Sequence, residues 1–372
     1  MGTLVERGGR ADHVEDDPGI ASGGGNRRVA RNGRHADEFG EVGCDDECDG
    51  VVVSWVAVDD HFGVRTHGAT VVALCQSGTV NGVSTPQFDV VVVGSANVDL
   101  VASVRELPRP GQTLIATGYA EHAGGKGLNQ AVACARMGAK TAFIGCIGND
   151  DAGVGLRSIL EREGIDTSRL VQVDAPTGRA FINVDSHGEN AIVVVSGANA
   201  QVGVATKIDL PTCRVVLAQL EVPLATVETV FAAARRVGAI TVLNPAPSQS
   251  LPSGLLEECD VIAPNETESA AIGGTKTLLD SGVETVVTTL GADGARIETA
   301  TLTTPIAPFP VTPIDTVGAG DAFIGAMCAE LARGSSIEEA CRLGAVAGAL
   351  ATTVRGAVPS LPTREAVLKA RR

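Results

Sequence analysis

Residues 315–323 read DTVGAGDAF, and the small apolar residues that follow them have the character of a helix packed in a core. Gly318, Ala319 and Gly320 leave backbone N–H groups free at the helix start, where the dipole and the unpaired donors favour an anion. Asp321 comes next, within reach of whatever those groups bind. A carboxylate there suits a base that takes a proton from an attacking hydroxyl. The segment predicts half of a phosphoryl-transfer site, although a glycine-rich loop before a core helix would look the same.

A second glycine-rich segment, residues 123–130 with the sequence AGGKGLNQ, also runs directly into a helix. Apolar residues of this helix recur at intervals of three and four and so share one face: Leu128, Ala131, Val132 and Ala135. We expect the helix to pack on a sheet and to leave its glycine-rich start exposed. The segment is not a Walker loop, because Lys126 is followed by Gly127 and not by Ser or Thr. Residues 318–320 lack the third glycine of a dinucleotide-binding loop, so both common nucleotide folds are disfavoured.

The composition predicts a soluble protein with a large core. Of its 372 residues 44% are hydrophobic, and no run of eighteen apolar residues could span a membrane. A net charge of −15 argues against a nucleic-acid surface but leaves room for a local basic pocket that holds a small polyanion. The nine cysteines are an odd number and no secretory signal precedes them, so we expect reduced thiols in a cytoplasm.

Residues 1–87 differ from the rest of the chain. Residues 1–49 are rich in Gly, Arg, Asp and Glu without an apolar period, which favours disorder, and residues 51–80 contain β-branched runs that could pair as strands. Because Lys126 is the first lysine, the region has the bias of an over-long GC-rich reading frame. That hypothesis would be contradicted by peptides of the native protein from before Val80.

Four residues of this region have the loose spacing of a two-Cys, two-His zinc finger: Cys44, Cys48, His61 and His67. A finger needs a helix that carries both histidines, whereas Gly63 lies between them and residues 51–53 are β-branched. Acidic residues between 45 and 49 would repel DNA phosphates. Chance spacing is the favoured interpretation.

From Phe88 onward, short β-branched runs alternate with amphipathic stretches that often end at glycine. Apolar strands joined by helices predict a mostly parallel sheet, and Gly138, Gly164 and Gly238 stand where helix C-caps belong. Two segments break the alternation, residues 100–122 and residues 179–195, which read as strands with polar turns. Periodicity alone leaves open whether these strands extend the main sheet.

Short polar side chains at strand ends or helix starts are candidates for binding the hydroxyl groups of a ligand, since open α/β sheets bind ligands there: Asn97, Asp99, Asn129 and Glu221. Each also has a simpler explanation, such as closing a turn or standing idle in a first helical turn. Asn265 and Glu268 are three positions apart after an apolar strand, so they can share one helical face. Glu268 could reach the water around Mg²⁺ while Asn265 donates to phosphate, although a solvated helix start fits equally well.

Motifs along the body resemble, in order, those of the ribokinase-like (PfkB) sugar kinases, and the ribokinase branch most of all. The two signatures are residues 123–148 and 315–327, and shorter matches lie at residues 94–99, 219–223, 244–247, 264–268, 289–291 and 356–360. The resemblance covers about residues 88–361. It implies a Rossmann-like α/β/α sandwich with a mostly parallel central sheet and a small β-sheet lid, formed by strands near 100–122 and 179–195. It also implies a kinase domain over residues 88–365, a tail over 366–372, and a homodimer paired through the lid.

The resemblance implies a role for each matching residue. Those implied to bind the sugar are Asn97, Asp99, Gly125, Lys126, Asn129, Glu221 and Asp321. Asp321 would be the catalytic base, with the Gly318, Ala319 and Gly320 amides as the anion hole. Those implied to bind ATP are Asn265, Thr289, Gly291, Gly294 and Gly320, and Glu268 would hold Mg²⁺ through water. At Thr289, Gly291 and Gly294, missing side chains would let a nucleotide lie against the backbone.

A monovalent-cation site is implied as well, in which carbonyls and one carboxylate surround K⁺: Asp315, Val317, Ala351, Val354, Gly356 and Ser360. Carbonyl cages suit a large, weakly hydrated ion. Two departures bear on ATP affinity. Ala345 stands where many ribokinases have a polar residue that touches adenine, and residues 269–284 are about ten fewer than is usual, which leaves little room for a full helix.

The function that we expect is ATP-dependent phosphorylation of D-ribose at O5. The alternatives are another substrate of the same fold, such as deoxyribose, a hexose or a nucleoside like adenosine, and a sugar-binding regulator without catalysis. Nucleoside pockets usually stack the base on aromatic rings, and only 3% of this chain is aromatic, which favours a bare sugar. A third alternative makes residues 1–87 a DNA-binding arm, which predicts salt-dependent binding that is lost on their deletion.

Overall fold

The computed structural model describes residues 85–205 and 207–372, which form two sheets and ten helices. The strands are β1 (Phe88–Val93), β2 (Asn97–Ser103), β3 (Gly118–Gly124), β4 (Thr141–Gly148), β5 (Asp166–Val173), β6 (Gly178–Val184), β7 (Asn190–Val195), β8 (Cys213–Gln219), β9 (Ile240–Asn244), β10 (Val261–Ile262), β11 (Thr285–Thr289), β12 (Ala295–Glu298) and β13 (Thr303–Ile306). The helices are α1 (Lys126–Arg136), α2 (Asp151–Arg162), α3 (Leu224–Arg236), α4 (Ser253–Glu257), α5 (Glu266–Ala271), α6 (Gly274–Asp280), α7 (Ala319–Ala332), α8 (Ile337–Ala351), α9 (Ala357–Ser360) and α10 (Arg364–Ala370).

The large sheet has nine strands in the order β13-β12-β11-β10-β9-β8-β1-β4-β5. All neighbours from β11 to β5 are parallel, and only β12 and β13 are antiparallel. Both faces of the large sheet are covered at strand β1, because its residues from Val90 to Val93 are all fully buried. Val90 and Val92 pack with α1, α2, α7 and α8, whereas Val91 and Val93 pack with α3, α4 and α6. This confirms the expected α/β/α sandwich with a mostly parallel sheet.

The second sheet has four strands in the order β3-β2-β6-β7 and is separate from the first. Strands β2 and β6 are parallel at its centre, and the outer strands pair antiparallel to them. The turn between β6 and β7 closes when Asp185 donates its N–H to the carbonyl of Glu189, with Gly188 at φ 84°. The two segments that broke the alternation therefore form the small sheet and do not extend the large one.

Helices α1 and α7, which follow the two glycine-rich segments, pack closely against each other. A Cβ on Gly325 would lie 2.3 Å from the Cβ of Ala133, so no larger residue fits between the helices there. The expected C-cap glycines are confirmed, since Gly138, Gly164 and Gly238 have φ of 80°, 73° and 74° just after α1, α2 and α3. The contact between Gly325 and Ala133 holds the middle parts of α1 and α7 together.

Some predictions concern residues that the structure does not describe, and one predicted boundary lies within a helix. The disordered extension, the strands within 51–80 and the zinc-finger spacing of Cys44 to His67 all lie outside the described residues. Helix α10 crosses the boundary that we placed after residue 365, and its Val367 is fully buried in the core. Among the helices of residues 85–372 that the structure describes, none is both long enough and apolar enough for a transmembrane segment.

Candidate active site

Asp321 is the third residue of α7 and lies beside unpaired backbone donors. Gly318 caps the helix at φ 81°, and a Cβ there would approach the Cα of Ala357 to 3.1 Å, so the turn requires glycine. The N–H of Ala319 donates to the carbonyl of Thr316 at 3.3 Å. The N–H groups of Gly318 and Gly320 have no protein partner within the part of the chain that the structure describes. The helix start can therefore receive an anion, with Ala319 the least available of the three donors.

Two residues from the start of α1 hold the Asp321 carboxylate. The Asn129 amide donates to Oδ2 at 2.9 Å, and the Gln130 amide donates to Oδ1 at 2.9 Å. The structure thus joins the two glycine-rich segments at one carboxylate. Asn129 Oδ1 is buried and finds no donor among the described residues, so this atom remains available to a bound hydroxyl.

Asp99, Glu221 and Lys126 form the charged part of the site. Burial, together with the negative charges of Glu221 and Asp321, raises the pKa of Asp99 to about 7, against the opposing effect of Lys126. Burial alone would lower the pKa of Lys126, but the carboxylates around it, Asp321 first and Glu221 next, hold that pKa above its usual range. Lys126 therefore stays cationic among four acidic side chains, those of Asp321, Glu221, Glu268 and Asp99.

The backbone around these charges is fixed by short contacts. Glu221 Oε2 accepts hydrogen bonds from the Ser95 hydroxyl and from the backbone N–H of Lys126, the latter at 3.1 Å. Gly124 has no room for a side chain, because a Cβ there would lie 2.1 Å from a carboxylate oxygen of Asp99. Gly125 has φ 87° and a Cβ on it would lie 2.9 Å from the backbone nitrogen of Asn97. Gly125 thus stands directly against Asn97, the first residue of β2.

Asn97 is buried, and its Oδ1 accepts a hydrogen bond from Asn199 at 2.7 Å. Asn199 Oδ1 also accepts a hydrogen bond from the backbone N–H of Ala96 at 3.0 Å, so Asn199 orients both the Asn97 side chain and the backbone before it. Asp99 lies within β2 and not at a turn, so neither Asn97 nor Asp99 serves to close a turn. Asn199 could not be singled out from the sequence, because no local pattern separates it from other polar residues of a short 3-10 turn.

Three more buried amides near the site were also missed: Gln130, Gln219 and Asn244. Gln130 reaches Asn244 at 3.0 Å and Gln219 at 2.6 Å, in addition to its bond with Asp321. The only sequence feature that could have identified Gln130 is its position directly after Asn129 at the helix start. A polar residue at such a position is normally expected to face solvent, yet Gln130 is fully buried.

Asn265 and Glu268 form a capping box at the start of α5. Asn265 Oδ1 accepts the Glu268 N–H at 2.8 Å, and Glu268 Oε2 accepts the Asn265 N–H at 2.9 Å. They therefore have the structural role of a helix start, which leaves the Asn265 amide nitrogen and the second Glu268 oxygen available. Glu268 contributes to the raised pKa of Lys126, so it lies on the same side of the molecule as the charged cluster.

The strand end at Thr289 adjoins this capping box. The Thr289 N–H donates to the carbonyl of Pro264 at 3.0 Å, and Thr289 forms an isolated parallel bridge with Asn265. Gly291 has φ 57° and open space around its Cα, as a backbone-binding loop requires. Gly294 differs from the expectation, because a Cβ there would lie 2.2 Å from the carbonyl oxygen of Ile306, so packing against β13 already explains this glycine. The region from 269 to 284 holds the end of α5 and the short helix α6, and Ala345 lies partly buried on α8.

The loop implied to hold K⁺ is tied to the start of α7 through Asp315. One Asp315 oxygen accepts the Val317 N–H at 3.1 Å and the other accepts the Gly356 N–H at 2.8 Å. Ser360 is buried and donates to the carbonyl of Ala357 at 2.8 Å, close beside Gly318. Of the remaining residues of the implied cage, Ala351 ends α8 and Val354 is partly exposed.

Arg136 holds the same loop from the far end of α1. Its guanidinium donates to the carbonyls of Val358 and Leu361, both at 2.8 Å, and pairs with Glu163 at 2.6 Å. Nη1 alone donates to both carbonyls, whereas Nε and Nη2 form a two-nitrogen fork with the Glu163 carboxylate. The sequence analysis did not single out Arg136.

Comparison with known proteins identifies the family. The pfkB family carbohydrate kinase domain matches residues 87–364. A ribokinase of Haemophilus influenzae is 41% identical over 295 residues, which cover 75% of this chain and 96% of the relative. A deoxyribokinase of Salmonella typhi is 32% identical over 297 residues, 75% of this chain and 97% of the relative.

A solved structure agrees with these sequences. Arabidopsis thaliana ribokinase, complexed with ribose and ATP, superposes with a TM-score of 0.70 at 31% identity, covering 77% of this chain and 99% of the other. The resemblance drawn from the sequence motifs is thereby confirmed. The chain belongs to the pfkB family of carbohydrate kinases and is a sugar kinase of the ribokinase-like type.

Proposed function

We propose that this protein phosphorylates D-ribose at O5 with MgATP, giving ribose 5-phosphate and ADP. The observation that carries the proposal is the Asp321 carboxylate, which joins the starts of α1 and α7 beside the unpaired N–H groups of Gly318 and Gly320. A base and an anion hole at one helix start are what transfer of a phosphoryl group to a hydroxyl requires.

The sugar lies between the lid sheet and the start of α1. The residues proposed to contact it are Asn97, Asp99, Gly125, Lys126, Asn129 and Glu221. Asn129 Oδ1 supports this placement, because it is a buried acceptor that lacks a donor among the described residues and a sugar hydroxyl would satisfy it. Lys126 offers three N–H donors, and Asp99 and Glu221 offer carboxylate acceptors. The site can therefore bind sugar hydroxyls that accept a hydrogen bond as well as those that donate one.

In the reaction, Asp321 takes the proton of the 5-hydroxyl as its oxygen attacks the terminal phosphorus in line. The N–H groups of Gly318 and Gly320, with that of Ala319 if its bond to Thr316 opens, stabilise the charge spread over the transferred phosphoryl group. Lys126, held cationic by its carboxylate neighbours, adds positive charge nearby. Most of the acceleration comes from positioning, because a loose phosphoryl-transfer transition state leaves little covalent chemistry to the protein.

ATP is proposed to lie along the carboxyl ends of β10 and β11, on Asn265, Thr289, Gly291, Gly294 and Gly320. The pairing of Thr289 with Asn265 makes these two segments one continuous edge. The donor set also fits Mg²⁺ held through water. Within the described chain no three acidic, His or Cys residues group as metal ligands, so phosphate and water must supply most ligands, and Glu268 keeps one oxygen free for a bridging water. When bound, Mg²⁺ neutralises negative charge on the phosphates.

A monovalent cation such as K⁺ is proposed to bind at Asp315, Val317, Ala351, Val354, Gly356 and Ser360. The support is geometric, since Asp315 ties the loop at Gly356 to the loop at Val317. When bound, the cation adds positive charge behind the anion hole and stiffens it.

The remaining proposals concern assembly and location. Strand β7 is an outer strand of the lid and is exposed at every residue, so it offers an apolar edge to a second copy of the chain, giving a homodimer. Six cysteines of the described region are unpaired and buried, in keeping with a cytoplasmic enzyme. No nucleic-acid or membrane partner is proposed.

A second substrate of the same class, deoxyribose, is the nearest alternative, because a deoxyribokinase is among the relatives. The decisive experiment is a coupled ADP-release assay with a panel of pentoses, hexoses and nucleosides, each with and without K⁺. We expect ribose to give the highest kcat/KM and K⁺ to raise it. A higher kcat/KM for deoxyribose, a hexose or adenosine would reassign the substrate. The absence of ADP release with every member would favour a sugar-binding regulator.

A further inference from the structure

Behind the proposed base, three buried amide side chains link Asp321 to the central sheet. Gln130 belongs to α1, Gln219 ends β8 and Asn244 ends β9. Gln130 and Gln219 are fully buried, and Asn244 is buried to 94% because 6% of its surface is exposed. They are not among the residues to which the sequence motifs assign a role, and water cannot easily replace them.

The direction of every hydrogen bond in this chain of amides is determined. Asn244 donates its amide to the carbonyl of Ala263 at 3.0 Å, so its oxygen faces Gln130. Gln130 donates one N–H to that oxygen at 3.0 Å and the other to Asp321 Oδ1 at 2.9 Å. Its own oxygen then accepts from Gln219 at 2.6 Å. Because a carbonyl and a carboxylate only accept, a flipped Gln130 amide would satisfy neither Asn244 nor Asp321.

The two donors on Asp321 have different surroundings. Asn129 keeps a buried oxygen without a partner and is proposed to contact the sugar, so its contacts change when substrate binds. Gln130 uses both of its amide N–H groups on protein acceptors, and its oxygen accepts from Gln219. Gln130 is therefore the donor that can hold Asp321 in one orientation throughout the reaction.

One buried atom at the end of this chain lacks a partner. Gln219 Oε1 has no donor within the described residues, and it lies so close to Gly94 that a Cβ there would be 2.2 Å away.

We propose that Gln130 is the positioning residue of Asp321, and that Asn244 and Gln219 fix the orientation of the Gln130 amide. The proposal rests on the proposed function in one respect, namely that Asp321 is the base. The role is orientation of the carboxylate towards the attacking hydroxyl, a geometry on which rates depend steeply.

The test replaces Gln130 with Met, which keeps the length of the side chain and removes both donors. We expect Gln130→Met to lower kcat by roughly 10- to 100-fold, while the KM for the sugar and the Kd for ATP change by less than about 3-fold. The matched control is Thr241→Val. Thr241 is a fully buried polar residue at the opposite end of β9, bonded to Glu258 and Asp260, so its loss should lower Tm and leave kcat unchanged.

A double variant separates orientation from stability. Gln130→Met alone should lower Tm, because the buried Gln219 amide nitrogen then loses its acceptor. In Gln130→Met with Gln219→Met both partners of that bond are gone, so we expect Tm to rise towards the wild-type value while kcat stays as low as in Gln130→Met. If Gln130 had only a structural role, kcat would recover together with Tm in the double variant.

Two outcomes would overturn the inference. One is a wild-type kcat in Gln130→Met, and the other is a kcat that recovers together with Tm in the double variant. If either occurs while Asp321→Asn is inactive, the proposed function stands and only the role of Gln130 is lost. If Asp321→Asn itself retains wild-type turnover, the proposed function fails first.

Discussion

The amide nitrogen of Asn129 lies 2.9 Å from a carboxylate oxygen of Asp321, although 192 positions separate the two residues in the sequence. Each residue belongs to the first turn of its helix, so the contact places the positive ends of the α1 and α7 dipoles side by side. An anionic phosphoryl group is thus favoured at the same place where the base is held.

Replacing Asp321 with Asn preserves the shape of the side chain and removes the proton acceptor. We expect kcat to fall by roughly 10²- to 10⁴-fold, while the Kd for ATP changes little because the N–H groups of the helix start remain. A coupled assay and an ATP titration measure the two effects. Near-normal turnover in this variant would contradict the assignment of the base.

Asp99 should make stability depend on pH in an unusual direction. With its pKa raised from 3.8 to about 7, the folded state keeps a proton that the unfolded state releases at lower pH. The Asp99 contribution to the free energy of unfolding therefore falls as the pH rises from about 4 to 7 and is constant above that. Asp99→Asn removes this dependence, because it carries no charge at any pH.

The change of the Asp99 pKa from 3.8 to about 7 corresponds to at most ~4 kcal/mol, and partial solvent screening reduces this to about 1–2 kcal/mol. Asp99→Asn should thus be more stable than the wild type at pH 8 by about that amount, and the difference should shrink towards pH 5. Urea unfolding of both proteins at the two pH values measures it. An equal difference at both values would contradict the raised pKa.

Gly124 should be intolerant of alanine, because the new Cβ would meet the Asp99 carboxylate at 2.1 Å. Displacing that carboxylate should lower kcat/KM for the sugar by roughly 10²-fold. Gly155 in α2 is the matched control, since a Cβ there meets nothing within 4 Å. Gly155→Ala should stabilise the protein by about 0.5–1 kcal/mol without changing kinetics. Similar kinetics for the two variants would argue against a sugar site beside Asp99.

Asp315 should control the response to K⁺. Asp315→Ala leaves the N–H groups of Val317 and Gly356 without their acceptor, so we expect the loop to loosen and the apparent K⁺ constant to weaken by about 10-fold or more. Thermal unfolding with and without K⁺ gives a readout independent of turnover. Asp209→Ala makes the same charge change at a side chain that is 94% exposed, and it should keep the K⁺ response. Unchanged K⁺ dependence in Asp315→Ala would remove this residue from the cation site.

Val193 tests the proposed dimer. It lies on the outer lid strand with 65% of its surface exposed, and a glutamate there would place a charge in the proposed contact. Val193→Glu should therefore elute as a monomer in size-exclusion chromatography with light scattering. Val237, 61% exposed at the end of α3, provides the control Val237→Glu, which should leave the mass unchanged. A monomeric wild type would contradict the dimer directly.

Much of the fold was predictable because it depends on local patterns. The buried run at Val90 to Val93, the helix face of Leu128 and Val132, and the capping glycines each follow from neighbouring residues alone. The pairing of Gln130 with Asn244 and Gln219 could not be predicted, since it joins residues 114 and 89 positions apart through strands that the sequence does not order.

The sequence was ambiguous for other residues whose type suits two roles. Asn265 and Glu268 have the spacing of a capping box, and the structure shows that box, so only a bound nucleotide can add a second role. Gly294 was expected to make room for a nucleotide, yet the carbonyl of Ile306 already fills the space where a side chain would lie. A glycine in the sequence can indicate that there is no room for a side chain, but it does not show which group fills that space.

The close packing of Gly325 against Ala133 limits how the enzyme can be redesigned. Because α1 and α7 leave no gap for even one methyl group at that point, the wall that carries Asp321 and Asn129 cannot be moved back to admit a bulkier acceptor. Directed evolution towards larger sugars should therefore find its productive changes on the outer lid strands β3 and β7, whose side chains are mostly open to solvent.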